Sequence, residues 1–293
     1  MKFSIDTDSS VGYEKNSLLK KIFNKLYVPI LNSLPATTRN LVKKTNYSAK
    51  RVIEKATTHE AIETLYKHGE LENSKSFLQK FFHYIWFSTD NPKAVRNRLR
   101  LVTKELEKAI REKLSEGEEI NLLSIAAGSA RAILDSISIP ELNGKRISVS
   151  FLDKNPEANE YSKNLVSERR YAPNYHFQWI VDRANNFPVH FDKNNQPNII
   201  EIVGLLDYFD LNSIRRLFLS VYENLKDGGI FITSNIVDNQ ERKFITNVVG
   251  WNMIYKLPEH FHEIAIEVGF KDEDISIYYE PFKIHFVMVA KKR

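Results

Sequence analysis

Between Asn121 and Arg131 an apolar run, Leu122-Leu123-Ser124-Ile125, meets the small-residue turn Ala126-Ala127-Gly128-Ser129-Ala130 and then a helix-forming stretch. A buried strand that turns this tightly into a helix leaves backbone free to approach a ligand, and it commits the surrounding chain to an α/β unit. About 25 residues beyond Gly128 a second apolar run, Ile147 to Leu152, ends in Asp153, where a nucleotide-binding α/β unit sets an acid against ribose hydroxyls. The pair points to a ligand with an adenosine end.

From Ile120 onward, apolar runs alternate with helical stretches: Leu122 to Ala126, Ile147 to Leu152, a weaker Phe177 to Val181, Ile199 to Val203, and Ile230 to Ser234. Such recurrence predicts a parallel sheet with helices on both faces. Ile275 to Glu280 and Ile284 to Ala290, joined by a short turn, predict an antiparallel hairpin that closes it. Before Gly117 the texture is helical and almost free of glycine. Leu18, Leu19, Ile22, Phe23 and Leu26 form one apolar stripe, helices interrupted near Thr57-Thr58 are expected between Ser48 and His68, and Asp90-Asn91-Pro92 opens a long amphipathic helix over about Lys93 to Leu114. The aromatic run Phe77 to Phe87 demands a cover, which makes a lid or an interface of this region. The reading is therefore α/β, a Rossmann-like seven-stranded sheet of five parallel strands plus the hairpin. An N-terminal helical domain, 1–117, serving as lid or dimerisation element, precedes a second domain, 118–293.

Composition narrows the function classes. The 293 residues include no cysteine, which excludes thiolate metal sites, disulfides and cysteine nucleophiles. No window approaches the roughly 18 uninterrupted apolar residues of a membrane span, and the N-terminus, with Asp6, Asp8 and Glu14, lacks a signal-peptide pattern. A cytoplasmic protein with no membrane partner is expected. The net charge of +5 raises the question of nucleic acid, but acids interleave Lys43-Lys44, Lys50-Arg51 and Arg96-Arg98-Arg100, which read as solvated helix faces. The eight histidines form no metal-ligand constellation; no metal is expected, and His285 reads as a half-buried strand residue.

The order of strands, with residues at their ends, resembles the class I S-adenosylmethionine-dependent methyltransferases over about Ile120 to Arg293. Ile125-Ala126-Ala127-Gly128-Ser129-Ala130 is similar to the glycine-rich first motif of that family, with alanine at the places of the first and third glycines and Ser124 where an acid is usual. Leu225-Lys226-Asp227-Gly228-Gly229-Ile230 resembles its helix end, glycine turn and fifth strand. An alanine-rich first motif and the Gly204-Leu205-Leu206-Asp207-Tyr208 segment resemble a little-characterised subgroup.

The resemblance implies S-adenosylmethionine held by Ala126, Ala127, Gly128, Asp153, Lys154, Asp182, Arg183 and Gly204. Asp153 would accept the ribose hydroxyls and Asp182 the adenine amine, since a carboxylate can accept two O–H bonds and one oxygen suffices for an amine. Other readings stay open: Asp153 as a helix N-cap, and Asp182 as a turn residue. Asp207 and Tyr208, beyond the fourth strand, are candidates for orienting or deprotonating an acceptor, with Asp210 as a helix cap. Trp251 and Tyr255 could wall the acceptor site or simply pack on the sheet. The implied function is in-line methyl transfer to a small-molecule acceptor. The alternatives are another use of the same cofactor, such as a non-methyl transfer or cyclisation, a non-catalytic cofactor-binding protein, and an RNA methyltransferase. A homodimer through the N-terminal helices is a further expectation.

Overall fold

The computed structural model describes residues 3–45, 47–67, 80, 87 and 89–293. One sheet organises them. Its strands are β1 (Phe3–Ile5), β2 (Ile120–Ile125), β3 (Ile147–Asp153), β4 (Tyr175–Val181), β5 (Ile199–Ile202), β6 (Ile230–Ile236), β7 (Ile275–Tyr279) and β8 (His285–Lys291), in the order β1-β7-β8-β6-β5-β2-β3-β4. β5 and β6 are buried at every position, as strands covered on both faces must be, and this explains why they are rich in isoleucine on both faces. The parallel ladder runs through β6, β5, β2, β3 and β4. β8 enters antiparallel between β6 and β7, so the expected hairpin closes the sheet. Because β2 pairs with β3 on one side and β5 on the other, the crevice beyond their carboxyl ends is the place where such a sheet receives ligands.

Helices α1 (Leu18–Ser33), α2 (Thr38–Thr45), α3 (Tyr47–Glu54), α4 (His59–Tyr66) and α5 (Asp90–Ser115) come before β2, and α6 (Arg131–Ser136), α7 (Pro156–Arg169), α8 (Leu211–Asn224) and α9 (Pro258–Val268) follow the strands. One expectation needs correction here. The sheet has an eighth strand: Phe3–Ile5 lies parallel to β7 at the edge, too short a segment to register as a strand by periodicity. On the N-terminal side of Gly117, α5 buries Leu101, Leu106 and Ile110 in the same apolar cluster as Leu122, Val149 and Phe151 of β2 and β3. Most of the aromatic run Phe77 to Phe87 lies outside the described residues; Phe87 itself is buried.

α1 to α4 share a smaller core with the segment that follows β6. Val52, Leu65, Phe244, Val248 and Trp251 pack together there, and Arg39 donates to the carbonyls of Asn247 and Val248 at 2.8 and 3.1 Å. That segment also caps α5. The buried carboxylate of Glu241 accepts from the backbone N–H groups of Asp90 and Asn91 at 2.7 and 3.0 Å, where the helix dipole favours negative charge. A roof built of N-terminal helices and the β6–α9 connection thus covers the carboxyl ends of the strands.

Candidate active site

Under this roof lies a cavity of about 770 Å³. Its near wall is the loop after β2. Ala126, Gly128 and Ala130 all adopt positive φ, at 57°, 55° and 57°, so two alanines hold a backbone shape that glycine takes freely. The left-handed region costs an L-residue about 1–2 kcal/mol, and the loop retains it at both alanines. Across the crevice the Asp153 carboxylate accepts from Gly128 N–H at 2.9 Å and from Asn155 N–H at 2.9 Å, tying the β2 and β3 loops together. Asn155, not Asp153, caps α7 through Glu157 N–H. The N-cap alternative for Asp153 is thereby removed.

Asp182, after β4, spends its carboxylate on its own turn. It accepts from Arg183 N–H and Asn186 Nδ2 at 2.7 Å each and meets His190 Nε2 at 2.9 Å; bonding to His190, then Asn186, holds it below the usual carboxylate range. Lys154 and Arg183 reach the cavity rim as exposed side chains.

The floor is polar and buried. Ser124 faces Glu201 in register across β2 and β5 and donates to it at 2.6 Å, so the acid missing from position 124 stands on the neighbouring strand. Burial pushes the Glu201 carboxyl up to about 7, against the opposing pull of Ser124 and Arg98. Arg98, 3% exposed, lies 3.6 Å from the Asp207 carboxylate and has an Nε with no hydrogen-bond partner. Burial works against its charge, but Tyr66 and Asp207 more than offset that and raise its pKa. His285, 2% exposed, has neither ring nitrogen in a hydrogen bond, and burial followed by Arg98 drives its pKa down and keeps it neutral. Gly204, beside Arg98, holds a left-handed backbone at φ 83°, which glycine adopts freely.

Asp207 is less free than a general base should be. It accepts from Ile236 N–H at 3.0 Å, its carbonyl accepts from Ile254 N–H at 2.7 Å, and it faces Arg98. Tyr208 accepts from Trp251 Nε1 at 2.6 Å, and burial pushes its hydroxyl up to about 12. Both line the cavity, as does Trp251. Tyr255 lies 4.6 Å from Arg242 in a cation–π contact and packs beside Ile236 and Ile284, which matches the packing alternative its sequence context left open. Asp210 caps α8 through Ser213 N–H, as its sequence context suggests.

Several residues here escaped the sequence reading. Arg96 and Arg98, expected on a solvated face, are buried; the signal was position, since Arg98 shares a helical face with Ala94, Leu101 and Val102. Glu63 of α4 takes both Arg131 Nε and Nη2 at 2.6 Å and the Tyr161 hydroxyl at 2.7 Å, pinning the roof to the helix that starts after the first loop. Nothing in the local sequence around Glu63 announces this. Among the described residues no group of three metal-ligating side chains converges.

Residues 60–289 match the model of a family described as "Putative methyltransferase". The chain belongs to this methyltransferase family. Solved structures show the same fold. A protein from Bordetella parapertussis described as a possible exported protein aligns at TM-score 0.65, with 15% identity over 81% of this chain and 80% of its own. The CurJ carbon methyltransferase aligns at 0.55, with 16% identity over 84% of this chain and 66% of its own. Magnesium protoporphyrin IX methyltransferase from Synechocystis, solved with bound S-adenosylmethionine, aligns at 0.50, with 10% identity over 70% and 85%. A comparison with curated sequences finds no significant match.

The cavity has features that suit S-adenosylmethionine, the ligand bound in the Synechocystis enzyme. Each Asp153 oxygen accepts one backbone N–H, which leaves lone pairs for ribose hydroxyls. A Cβ at Gly128 would come within 3.7 Å of His59, filling the gap between loop and roof.

Proposed function

We propose that this methyltransferase methylates a small, largely apolar acceptor that lies under α3, α4 and the β6–α9 connection and points one polar end at Arg98, Glu201 and His285. The observation that carries the reading is the continuity of a single cavity from the Gly128–Asp153 crevice to that buried polar floor. Ala126, Ala127, Gly128, Asp153, Lys154, Asp182, Arg183 and Gly204 would hold the donor. When bound, the donor supplies an electrophilic methyl on a sulfonium, displaced in line by the acceptor atom.

The chain's own groups then divide the work. Arg98 stays charged and buried, so it favours an acceptor oxygen as that oxygen becomes anionic. Glu201, titrating near neutrality, is suited to take the acceptor's proton. Asp207 positions Arg98 and the end of β6, and Tyr208 positions Trp251. Val52, Ile62, Val95 and Val249 exclude water from the far side and give the acceptor site its apolar character. The retained left-handed alanines support a functioning loop over a decayed one.

Calorimetry with S-adenosylmethionine and S-adenosylhomocysteine tests the donor site. Binding weakened about tenfold or more by Asp153→Ala is expected, since the carboxylate would lose two charge-assisted hydrogen bonds. Folded, ligand-free wild-type protein that binds neither compound would sink the reading.

A further inference from the structure

The first helix turns its apolar side to solvent. Asn24, Val28 and Leu31 mark the buried face of α1. The opposite face carries Leu18, Leu19, Ile22, Phe23, Leu26 and Ile30, exposed to 74, 79, 52, 46, 70 and 61%. At helical spacing these six cover an arc of about 140°. The orientation is pinned by polar contacts: Asn24 donates to Asp90 at 2.8 Å, and Asn32 donates to the Gln240 carbonyl at 2.6 Å while accepting from Phe244 N–H at 2.9 Å. The stripe therefore cannot roll inward without breaking the contacts that hold the helix. An exposed apolar face of this kind marks an interaction surface.

Charge says what it meets. Lys21 and Lys25 stand exposed along one border of the arc, and Lys20 sits 4.8 Å from the Phe23 ring at the other. Neither α1 nor α2 contains an acidic residue, and the last turn of α2 adds Lys44, beside a Lys43 that pairs with Glu54 of α3 at 2.9 Å. A second copy docked on this face would bring lysines against lysines. An anionic lipid surface would instead take the apolar arc into its headgroup boundary and offer phosphates to the flanking ammonium groups. No described helix is long and apolar enough to cross a membrane, so α1 would lie in the plane of the surface. We propose that α1 is an interfacial helix that docks this methyltransferase on anionic membrane. This revises the sequence-based expectation of no membrane partner, and it stands independently of what the acceptor is.

Cosedimentation of the full chain with phosphatidylcholine vesicles and with mixed phosphatidylcholine–phosphatidylglycerol vesicles tests it. The wild type should pellet with the mixed vesicles, several-fold less at high salt, and stay in solution with phosphatidylcholine alone. Leu19→Asp/Leu26→Asp should abolish binding, and Lys21→Glu/Lys25→Glu should weaken it about tenfold or more. These exposed positions leave the fold and donor affinity intact, which circular dichroism and calorimetry check. Wild-type protein that ignores the mixed vesicles overturns the proposal, whether it is monomeric or forms a dimer that the leucine variant dissociates. Undiminished vesicle binding by the leucine variant overturns it equally.

Discussion

α5 and α1 read alike in the sequence, each with apolar residues at helical spacing and basic residues between them, yet they sit in the protein in opposite senses. α5 buries its stripe under the sheet and takes Arg96 and Arg98 in with it; α1 buries asparagine and shows leucine to water. The difference teaches that periodicity fixes which side chains share a face, while the partners that anchor the helix fix where that face points. For α5 the anchor is the apolar surface of β2 and β3, with Glu241 at its N-terminus. For α1 it is a set of amide contacts to Asp90, Gln240 and Phe244.

The largest effect that would sharpen this comparison belongs to α5. Leu106 is fully buried, and Leu106→Ala should lower unfolding free energy by about 4 kcal/mol in a denaturant titration. A loss below about 1 kcal/mol would mean that α5 is no part of the core.

Next comes the pH dependence of the floor that α5 supplies with Arg98. Glu201 rises from an ordinary 4.5 to about 7 in the fold, so between these values the folded chain holds a proton that the unfolded chain releases. Its contribution to stability is complete below pH about 4.5 and is lost as pH climbs through about 7, by about 3 kcal/mol at most. Glu280, raised to about 7 by burial, acts in the same direction. Stability of the wild type should fall over this window, and Glu201→Gln should flatten part of the fall; an unchanged slope would place Glu201 in a wetter site.

A smaller gain is expected in the donor loop. Ala126→Gly relieves a left-handed alanine and should raise stability by about 0.5–1 kcal/mol, with donor affinity within about twofold of wild type. Smallest of all is the α1 counterpart of the first prediction. Leu26→Ala should change stability by less than about 0.5 kcal/mol; a loss comparable to that of Leu106→Ala would show that the stripe is covered.

Much of the sheet was legible because β5, β6 and β8 are largely buried on both faces and so carry dense apolar runs. β1 was not, since three residues at an edge carry no period. In the site, Gly128 and Asp153 announced themselves through a tight turn and an acid at a strand end, a local pattern. Glu201 and Ser124 form one unit across two strands that lie 77 residues apart, and such pairing is invisible until the strands are in register. Arg98 was misread because its charge was taken to mean solvent, whereas its neighbours at i−4, i+3 and i+4 are Ala94, Leu101 and Val102. Tyr255 shows the converse: an aromatic near a site is as readily claimed by a neighbouring arginine, here Arg242.

One contact ties the roof to the donor side of the cavity. Glu63 is shared by Arg131, at the start of the helix after the donor loop, and by Tyr161 of α7. The carboxylate that holds α4 in place also steadies the residue beside Ala130. A single carboxylate therefore joins α4, the start of the helix after the donor loop, and α7, so that a change at Glu63 reaches the roof and the donor side of the cavity together.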